Sequence, residues 1–100
     1  MMLQAQILLN KDEMDAHGHP LYLTLLQWLV AHDIAQASVF EGISGIGNHR
    51  IIQPGALFSF DEPPVVILFE EETEKVRATL REIRSFSPRI QIIAYPIEIF

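Results

Sequence analysis

Apolar and polar residues alternate near the start of the chain, which predicts a β-strand over residues 3–9 (LQAQILL). A polar loop with one glycine follows and ends at Pro20, a residue suited to the first turn of a helix because that position needs no backbone N–H. From Leu21 to about His32, apolar residues recur every three or four positions, as on one side of an amphipathic helix. The face that this helix is predicted to bury consists of Tyr22, Leu25, Leu26 and Leu29.

The rest of the chain predicts three further strands and one helix. Residues 34–40 form the second predicted strand, and the unbroken apolar run Val65–Phe69 forms the third. A run of this kind is typical of a strand with both faces covered. Residues 72–86 have helical periodicity, and residues 90–95 form the last strand, which we expect Pro96 to bend or interrupt.

The predicted order is strand, helix, strand, strand, helix, strand, within a single domain spanning residues 1–100. Right-handed crossovers give this order the ferredoxin-like βαββαβ arrangement, an α+β sandwich with an antiparallel sheet and both helices on one face. The other face would then be bare although its strands are apolar, which favours burial against further copies of the chain. The alternative is that the C-terminal residues 97–100 (IEIF) fold across that face.

Composition excludes several classes of protein. The 100 residues are 49% hydrophobic and 20% charged, as in a folded domain, and the formal net charge is −6. A chain this acidic is a poor binder of nucleic acid. There is no cysteine, which excludes disulfides and thiolate chemistry and suits a cytoplasmic location. We expect no signal peptide, and the longest apolar segment is too short for membrane insertion.

The sequence predicts no enzymatic activity. Its serines lack the G-x-S-x-G setting of a nucleophile, and no two carboxylates have a spacing that indicates acid–base catalysis. Asp61 and Glu62 precede two prolines and predict a turn. No motif requires a cofactor.

The connection of about 22 residues from 41 to 62 contains the candidate ligand-binding residues. These are Gly42, Gly45, Gly47 and Arg50. One interpretation is a concave anion site, in which the glycines expose backbone amides and Arg50 supplies positive charge. The other is structural: the glycines occupy turn positions with positive φ, while Ile43 and Ile46 pack between subunits.

The loop before the first helix contains a candidate metal site. His17 and His19 have the His-x-His spacing that recurs among metal ligands, and acidic residues precede them. Nitrogen and carboxylate oxygen donors together suit a first-row divalent metal. Polar loops before helices have the same composition without binding a metal, so an ordinary loop is the alternative.

Phe58 and Phe60 alternate with Leu57 and Ser59 before the third strand. Exposed aromatic side chains of this kind stack on bases in proteins that bind single-stranded nucleic acid. The acidic net charge argues against such a partner. We therefore expect residues 57–60 to form an additional hairpin strand packed in the core.

Three segments together resemble one known family. GHPLY opens the first helix, ASVFEGISGIGNHRII spans residues 37–52, and DEPPVVILFE spans residues 61–70. Their order and spacing are similar to motifs of the PII-like family known as domain of unknown function 190. The glycine block followed by Arg50 and Ile51 is the most specific part. Glu41 and His19 stand where that family commonly has basic residues, so two cations are missing near the predicted cleft.

The resemblance implies a trimer related to the PII signalling proteins and the CutA proteins, with the sheets packed around a central axis. It also implies a regulatory protein that binds a small ligand, such as a nucleotide, in clefts between subunits. Such a protein would signal to a protein partner through the 41–62 loop. Two alternatives stay open: a CutA-like protein that binds divalent metal through His17 and His19, and a structural trimer without a ligand.

Overall fold

Six strands and two helices make up the computed structural model, which describes residues 1–100. In chain order they are β1 (Met2–Asn10), α1 (Leu21–Ala31), β2 (Ser38–Glu41), β3 (Gly45–Gly47), β4 (Arg50–Ile52), β5 (Pro64–Glu72), α2 (Thr73–Phe86) and β6 (Gln91–Ile97). Four strands form an antiparallel sheet in the order β2-β5-β1-β6, and β3 and β4 form a separate hairpin. The fold is the predicted ferredoxin-like βαββαβ sandwich, with a hairpin inserted between its second and third sheet strands.

β1 lies inside the sheet and pairs with β5 on one side and β6 on the other. Its alternating sequence buries every second side chain, as the pattern predicted. The buried residues are Leu3, Ala5, Ile7 and Leu9. Ile7 lies opposite Ile67 of β5 and Ile92 of β6, so the middle of the sheet is apolar across three strands.

The two helices cover the same face of the sheet and share one core with it. The residues that they bury are Leu21, Leu25 and Leu29 from α1, and Val76, Thr79 and Ile83 from α2. Tyr22 and Leu26, which periodicity also assigned to the buried face of α1, lie partly buried at the margin of the core. Neither helix has the length and apolar character that crossing a membrane needs.

Two strands differ from their predicted bounds. β2 begins at Ser38 instead of residue 34, and Ile34 is buried in the core from the loop that follows α1. β6 runs through Pro96 to Ile97, so the prediction that this proline interrupts the strand is wrong. β6 is an edge strand, which tolerates proline because one of its sides has no hydrogen-bonded neighbour in the sheet.

The face of the sheet opposite the helices, here called the open face, carries large apolar side chains from β2, β5 and β6. They are Phe40, Val66, Leu68, Ile93 and Tyr95, as the register of the strands requires. Phe40, Ile93 and Tyr95 are exposed, whereas Val66 and Leu68 are half-buried. Tyr95 Oη accepts a hydrogen bond from Gln6 Nε2 (2.8 Å), which orders the centre of the face.

The residues after β6 reach only one end of the open face. Ile99 lines a shallow pocket there together with Phe40 and Leu68, and Phe100 is fully exposed. The alternative prediction, that residues 97–100 cover this face, is wrong for most of its area, because Ile93 remains 40% exposed. The chain therefore leaves the open face without a cover of its own.

Leu25→Ala should lower the free energy of unfolding by about 2–5 kcal/mol, because Leu25 is fully buried and its loss leaves a cavity in the core. Leu23→Ala makes the same chemical change on the exposed side of α1 and should cost less than about 1 kcal/mol. Urea unfolding at one protein concentration measures both values. Equal losses would contradict the assignment of the buried face of α1.

Candidate functional site

The 41–62 connection contains the hairpin β3–β4 and is not one continuous loop. Gly47 pairs with Arg50, so Asn48 and His49 form the turn. Both turn residues have positive φ (52° and 63°), the combination of a type I′ turn, whose twist suits a two-residue hairpin. The three glycines have no positive φ, so the structural prediction that placed them at such positions is wrong.

Two of these glycines instead permit close packing within the connection. A Cβ atom on Gly42 would lie 2.7 Å from Pro64 Cγ, and one on Gly47 would lie 2.6 Å from Ile52 Cδ1. The Gly42 amide donates a hydrogen bond to the Pro64 carbonyl (2.7 Å), so this amide already has an acceptor. Gly45 has no such close neighbour. Packing explains Gly42 and Gly47, and a role of the glycines in ligand binding stays a prediction.

Arg50 forms a two-pronged ion pair with Asp61. Arg50 Nη2 lies 2.8 Å from Asp61 Oδ1, and Nη1 lies 3.1 Å from Oδ2. Oδ2 also accepts the amide of Gln53 (3.0 Å), and the Asp61 amide donates to Ser59 Oγ (3.1 Å). The bond from Arg50, followed by that from Gln53, lowers the pKa of Asp61 to about 2, so the carboxylate is charged at neutral pH. Sequence reasoning assigned Asp61 to a turn and missed this pairing.

A shallow cleft of about 260 Å³ borders the ion pair. It is lined by Asn10, Asp12, Arg50, Ile52, Phe60, Asp61 and Glu62. Three of these residues are acidic and only Arg50 is basic, which disfavours a ligand of high negative charge. At the start of the connection Glu41 pairs with Lys11 Nζ at 2.6 Å, so this lysine does not supply a free positive charge either.

The same connection exposes six large apolar side chains, here called the apolar loop cluster. They are Ile43, Ile46, Ile51, Leu57, Phe58 and Phe60. Phe58 and Phe60 are 86% and 97% exposed and lie in no strand, so the prediction of a core-packed strand at residues 57–60 is wrong. The reason is topological: β5 already pairs with β1 and β2, and no edge of β5 is left for another strand.

Asp15 fixes the loop that precedes α1. Its Oδ1 accepts the backbone amides of His17 (2.8 Å) and His19 (2.9 Å), and its Oδ2 accepts the hydroxyl of Thr24 (2.6 Å). The Thr24 bond, followed by the bonds from His19 and His17, lowers the pKa of Asp15 to about 2. No side chain caps α1 from the adjacent position. The loop is joined to the first turn of the helix by Asp15, through Thr24, and by the backbone hydrogen bond from Leu21 N to Glu13 O (2.8 Å).

The predicted metal ligands His17 and His19 lie on this loop with their ring centres 6.5 Å apart. Both residues are exposed, and His19 Nδ1 lies 3.6 Å from Asp15 Oδ2. No group of three or more histidine, aspartate or glutamate side chains is arranged to hold a metal ion. Metal binding by the two histidines stays a prediction that rests on the sequence.

The chain belongs to the DUF190 family, described as "Uncharacterized ACR", whose model matches residues 2–99. This match confirms the resemblance seen in the sequence motifs. No curated protein sequence matches the chain.

Solved structures share the fold at low sequence identity. One is CPII, a nitrogen regulatory PII-like protein from Thiomonas intermedia K12 bound to ADP, AMP and bicarbonate, with a TM-score of 0.70 and 17% identity over 98% of this chain and 87% of that one. Another is the divalent cation tolerance protein CutA1 from Thermus thermophilus, with a TM-score of 0.65 and 14% identity over 100% and 87% of the two chains. At such identities the likeness defines the fold, which PII-like and CutA proteins share.

Asp15→Asn should lower the free energy of unfolding at neutral pH, because it removes the charged acceptor of three hydrogen bonds. Folding lowers the pKa of Asp15 to about 2, so its stabilisation is complete above the unfolded pKa of about 4 and is lost as the pH falls towards 2. The urea midpoints of variant and wild type should therefore converge on acidification. Asp12→Asn, at an exposed position of the same loop, is the control and should match the wild type. A difference between the urea midpoints of Asp15→Asn and wild type that stays constant with pH would contradict this role.

Proposed function

We propose that this protein is a PII-like regulatory protein that assembles as a trimer. It binds a small anionic ligand, with adenine nucleotides the first candidates, in clefts between subunits beside residues 42–50. Binding is signalled to a protein partner through the 41–62 connection. Support comes from family membership and from the fold shared with CPII, whose solved structure contains ADP, AMP and bicarbonate.

The observation that carries the proposal is a pair of apolar surfaces on one protomer, the open face and the apolar loop cluster. Together they exceed the scattered exposure that a small monomer normally shows. A chain of 100 residues also buries a modest share of its surface on folding, so assembly would add stability. Packing of copies around a common axis would cover the open face and bring the hairpin of one copy close to the next.

Ligand binding is assigned to the same region because Arg50 projects there and lies beside a cleft that a neighbouring subunit could deepen. Gly42, Gly45 and Gly47 belong to the proposed site as the residues that shape its backbone. No reaction is assigned, since a regulatory protein needs only differential binding to change its partner contacts. The lack of cysteine favours the cytoplasm as the place of action.

Light scattering should give a mass of about 34 kDa, three copies of the 11.4 kDa chain. Ile93→Asp places a charge on the open face, and burying that charge in an interface without a partner is costly, so the variant should be monomeric. Val30→Asp makes a comparable change on the exposed side of α1 and should stay trimeric. A monomeric wild type would contradict the assembly and every cleft built on it.

Adenine nucleotides should raise the melting temperature of the wild type. At about ten times its Kd, a ligand of the folded state adds about 1.4 kcal/mol, which corresponds to several degrees for a small domain. Arg50→Gln should remove most of the shift, whereas Arg77→Gln on the exposed surface of α2 should retain it. No shift with AMP, ADP or ATP at millimolar concentration would rule out a nucleotide ligand.

The second candidate is a divalent-metal-binding protein of the CutA type, favoured by the fold shared with CutA1 of Thermus thermophilus. His17 and His19 would supply nitrogen ligands from the exposed loop before α1. Stabilisation by Zn²⁺ or Cu²⁺ that is lost in the His17→Ala/His19→Ala variant would support it. If neither metals nor nucleotides stabilise the trimer, the remaining interpretation is a structural trimer without a ligand.

A further inference from the structure

We propose that the Arg50–Asp61 pair is a clasp that an oxyanion opens: a ligand carboxylate or phosphate replaces the Asp61 carboxylate on Arg50 and thereby releases residues 53–61. The inference rests on the proposed function, since it names the ligand chemistry and the conformational response of the same site. It adds that Asp61, a residue of the same chain, competes with the ligand for Arg50.

The geometry of the pair supports the replacement. Both terminal nitrogens of Arg50 contact the two carboxylate oxygens of Asp61, at 2.8 and 3.1 Å. This parallel arrangement is the one by which arginine binds free carboxylates and phosphates. Asp61 therefore occupies the position that the oxyanion of a ligand would take. The Asp61 carboxylate and a ligand oxyanion cannot both form this two-pronged contact with Arg50 at the same time.

Solvent can reach the arginine side of the clasp. The side chain of Arg50 is 66% exposed, whereas that of Asp61 is 18% exposed. An incoming anion can thus approach Arg50 from outside while Asp61 is still bound, and exchange can proceed stepwise. The neighbouring carboxylates of Asp12 and Glu62 repel high negative charge, so a monophosphate or carboxylate fits better than a triphosphate.

Asp61 also makes every hydrogen bond that joins residues 53–61 to the rest of the chain. Its carboxylate binds Arg50 outside the segment and the Gln53 amide inside it. The other hydrogen bonds of the segment are internal, from Ala56 N to Gln53 O, from Ser59 N to Ala56 O and from Asp61 N to Ser59 Oγ. Loss of the Arg50 contact would leave the segment attached by its ends alone.

Little else holds the segment in place. Leu57, Phe58 and Phe60 are exposed, so their side chains add little burial energy in the protomer. Phe58 also has φ 61°, a left-handed backbone conformation that is unfavourable for a bulky residue. Release would relieve this strain and let the segment move its three exposed apolar side chains into the arrangement that a partner protein binds, which connects ligand binding to signalling.

The test compares three variants by NMR titration with inorganic phosphate, acetate, AMP and ADP. Asp61→Asn removes the competing charge and should lower the Kd for phosphate about tenfold. Glu62→Gln removes the same charge from the same cleft without touching Arg50 and should change the Kd at most about twofold. The double variant Arg50→Gln/Asp61→Asn should lose this increase in phosphate affinity, because the arginine that binds the anion is gone. Whichever of acetate and phosphate shows the larger increase in affinity in Asp61→Asn identifies the ligand group as a carboxylate or a phosphate.

Hydrogen–deuterium exchange gives a second readout that needs no substitution. Saturating phosphate should speed exchange of the amides of residues 53–61 in the wild type by about fivefold or more, because the segment loses its hydrogen bonds to Arg50 and is then attached by its ends alone. Exchange in β1 should stay unchanged, since that strand is paired on both sides. Slower exchange of residues 53–61 with ligand would overturn the clasp.

Failure of the clasp and failure of the proposed function give different results. If the wild type binds ADP but Asp61→Asn binds ADP and phosphate no more tightly, the clasp is wrong and the regulatory function stands. If the wild type binds no nucleotide while Asp61→Asn gains phosphate affinity that depends on Arg50, the clasp stands and the nucleotide proposal fails.

Discussion

Both helices of this fold cover one face of a four-stranded sheet, and the rest of the structure depends on that asymmetry. The covered face contains the core, with Ile7 and Ile67 completely buried between sheet and helices. The opposite face is also rich in apolar side chains, because β5 is apolar without a break from Val65 to Phe69 and β6 adds Ile93 and Tyr95, and the chain has no third layer to place over it. The 41–62 connection adds a second exposed apolar surface, because six of its large side chains lie outside the core that the sheet and helices share. Both apolar surfaces therefore point outward, where only another chain can cover them.

Much of the fold could be predicted because its signals are local. The alternation in β1 and the helical spacing in α1 and α2 follow from the two periodicities of regular structure. Strand ends were less predictable, since β6 continues through Pro96 only because it lies at the sheet edge. The place of Phe58 and Phe60 was predicted wrongly for a similar reason: whether a strand edge is free depends on pairing between distant segments.

The candidate site was also predictable in part. Arg50 could be named from its motif, but its partner Asp61 is eleven positions further along the chain, after residues 53–60, which lie in no helix or strand. The hairpin turn just before Arg50 uses Asn48 and His49 in left-handed conformations, where a glycine would have been the obvious prediction. Gly42 instead lets the chain after β2 approach Pro64 of β5 closely, and Gly47 lets β3 approach Ile52 of β4. In the protomer, the arginine of the predicted anion site is thus held in an ion pair that closes the loop of residues 51–60.

Solvent paramagnetic relaxation of isoleucine methyl groups would test the central claim, that copies of the chain bury the open face. The core residues Ile7 and Ile67 calibrate the protected limit, and the methyl groups of Val30, labelled in the same sample and 75% exposed on α1, calibrate the accessible limit. We expect Ile93, 40% exposed in the protomer, to be protected like the core residues when the soluble paramagnetic probe is added. If the probe relaxes the Ile93 methyl group as fast as expected for a side chain that is 40% exposed, the open face is not buried and the claim is wrong.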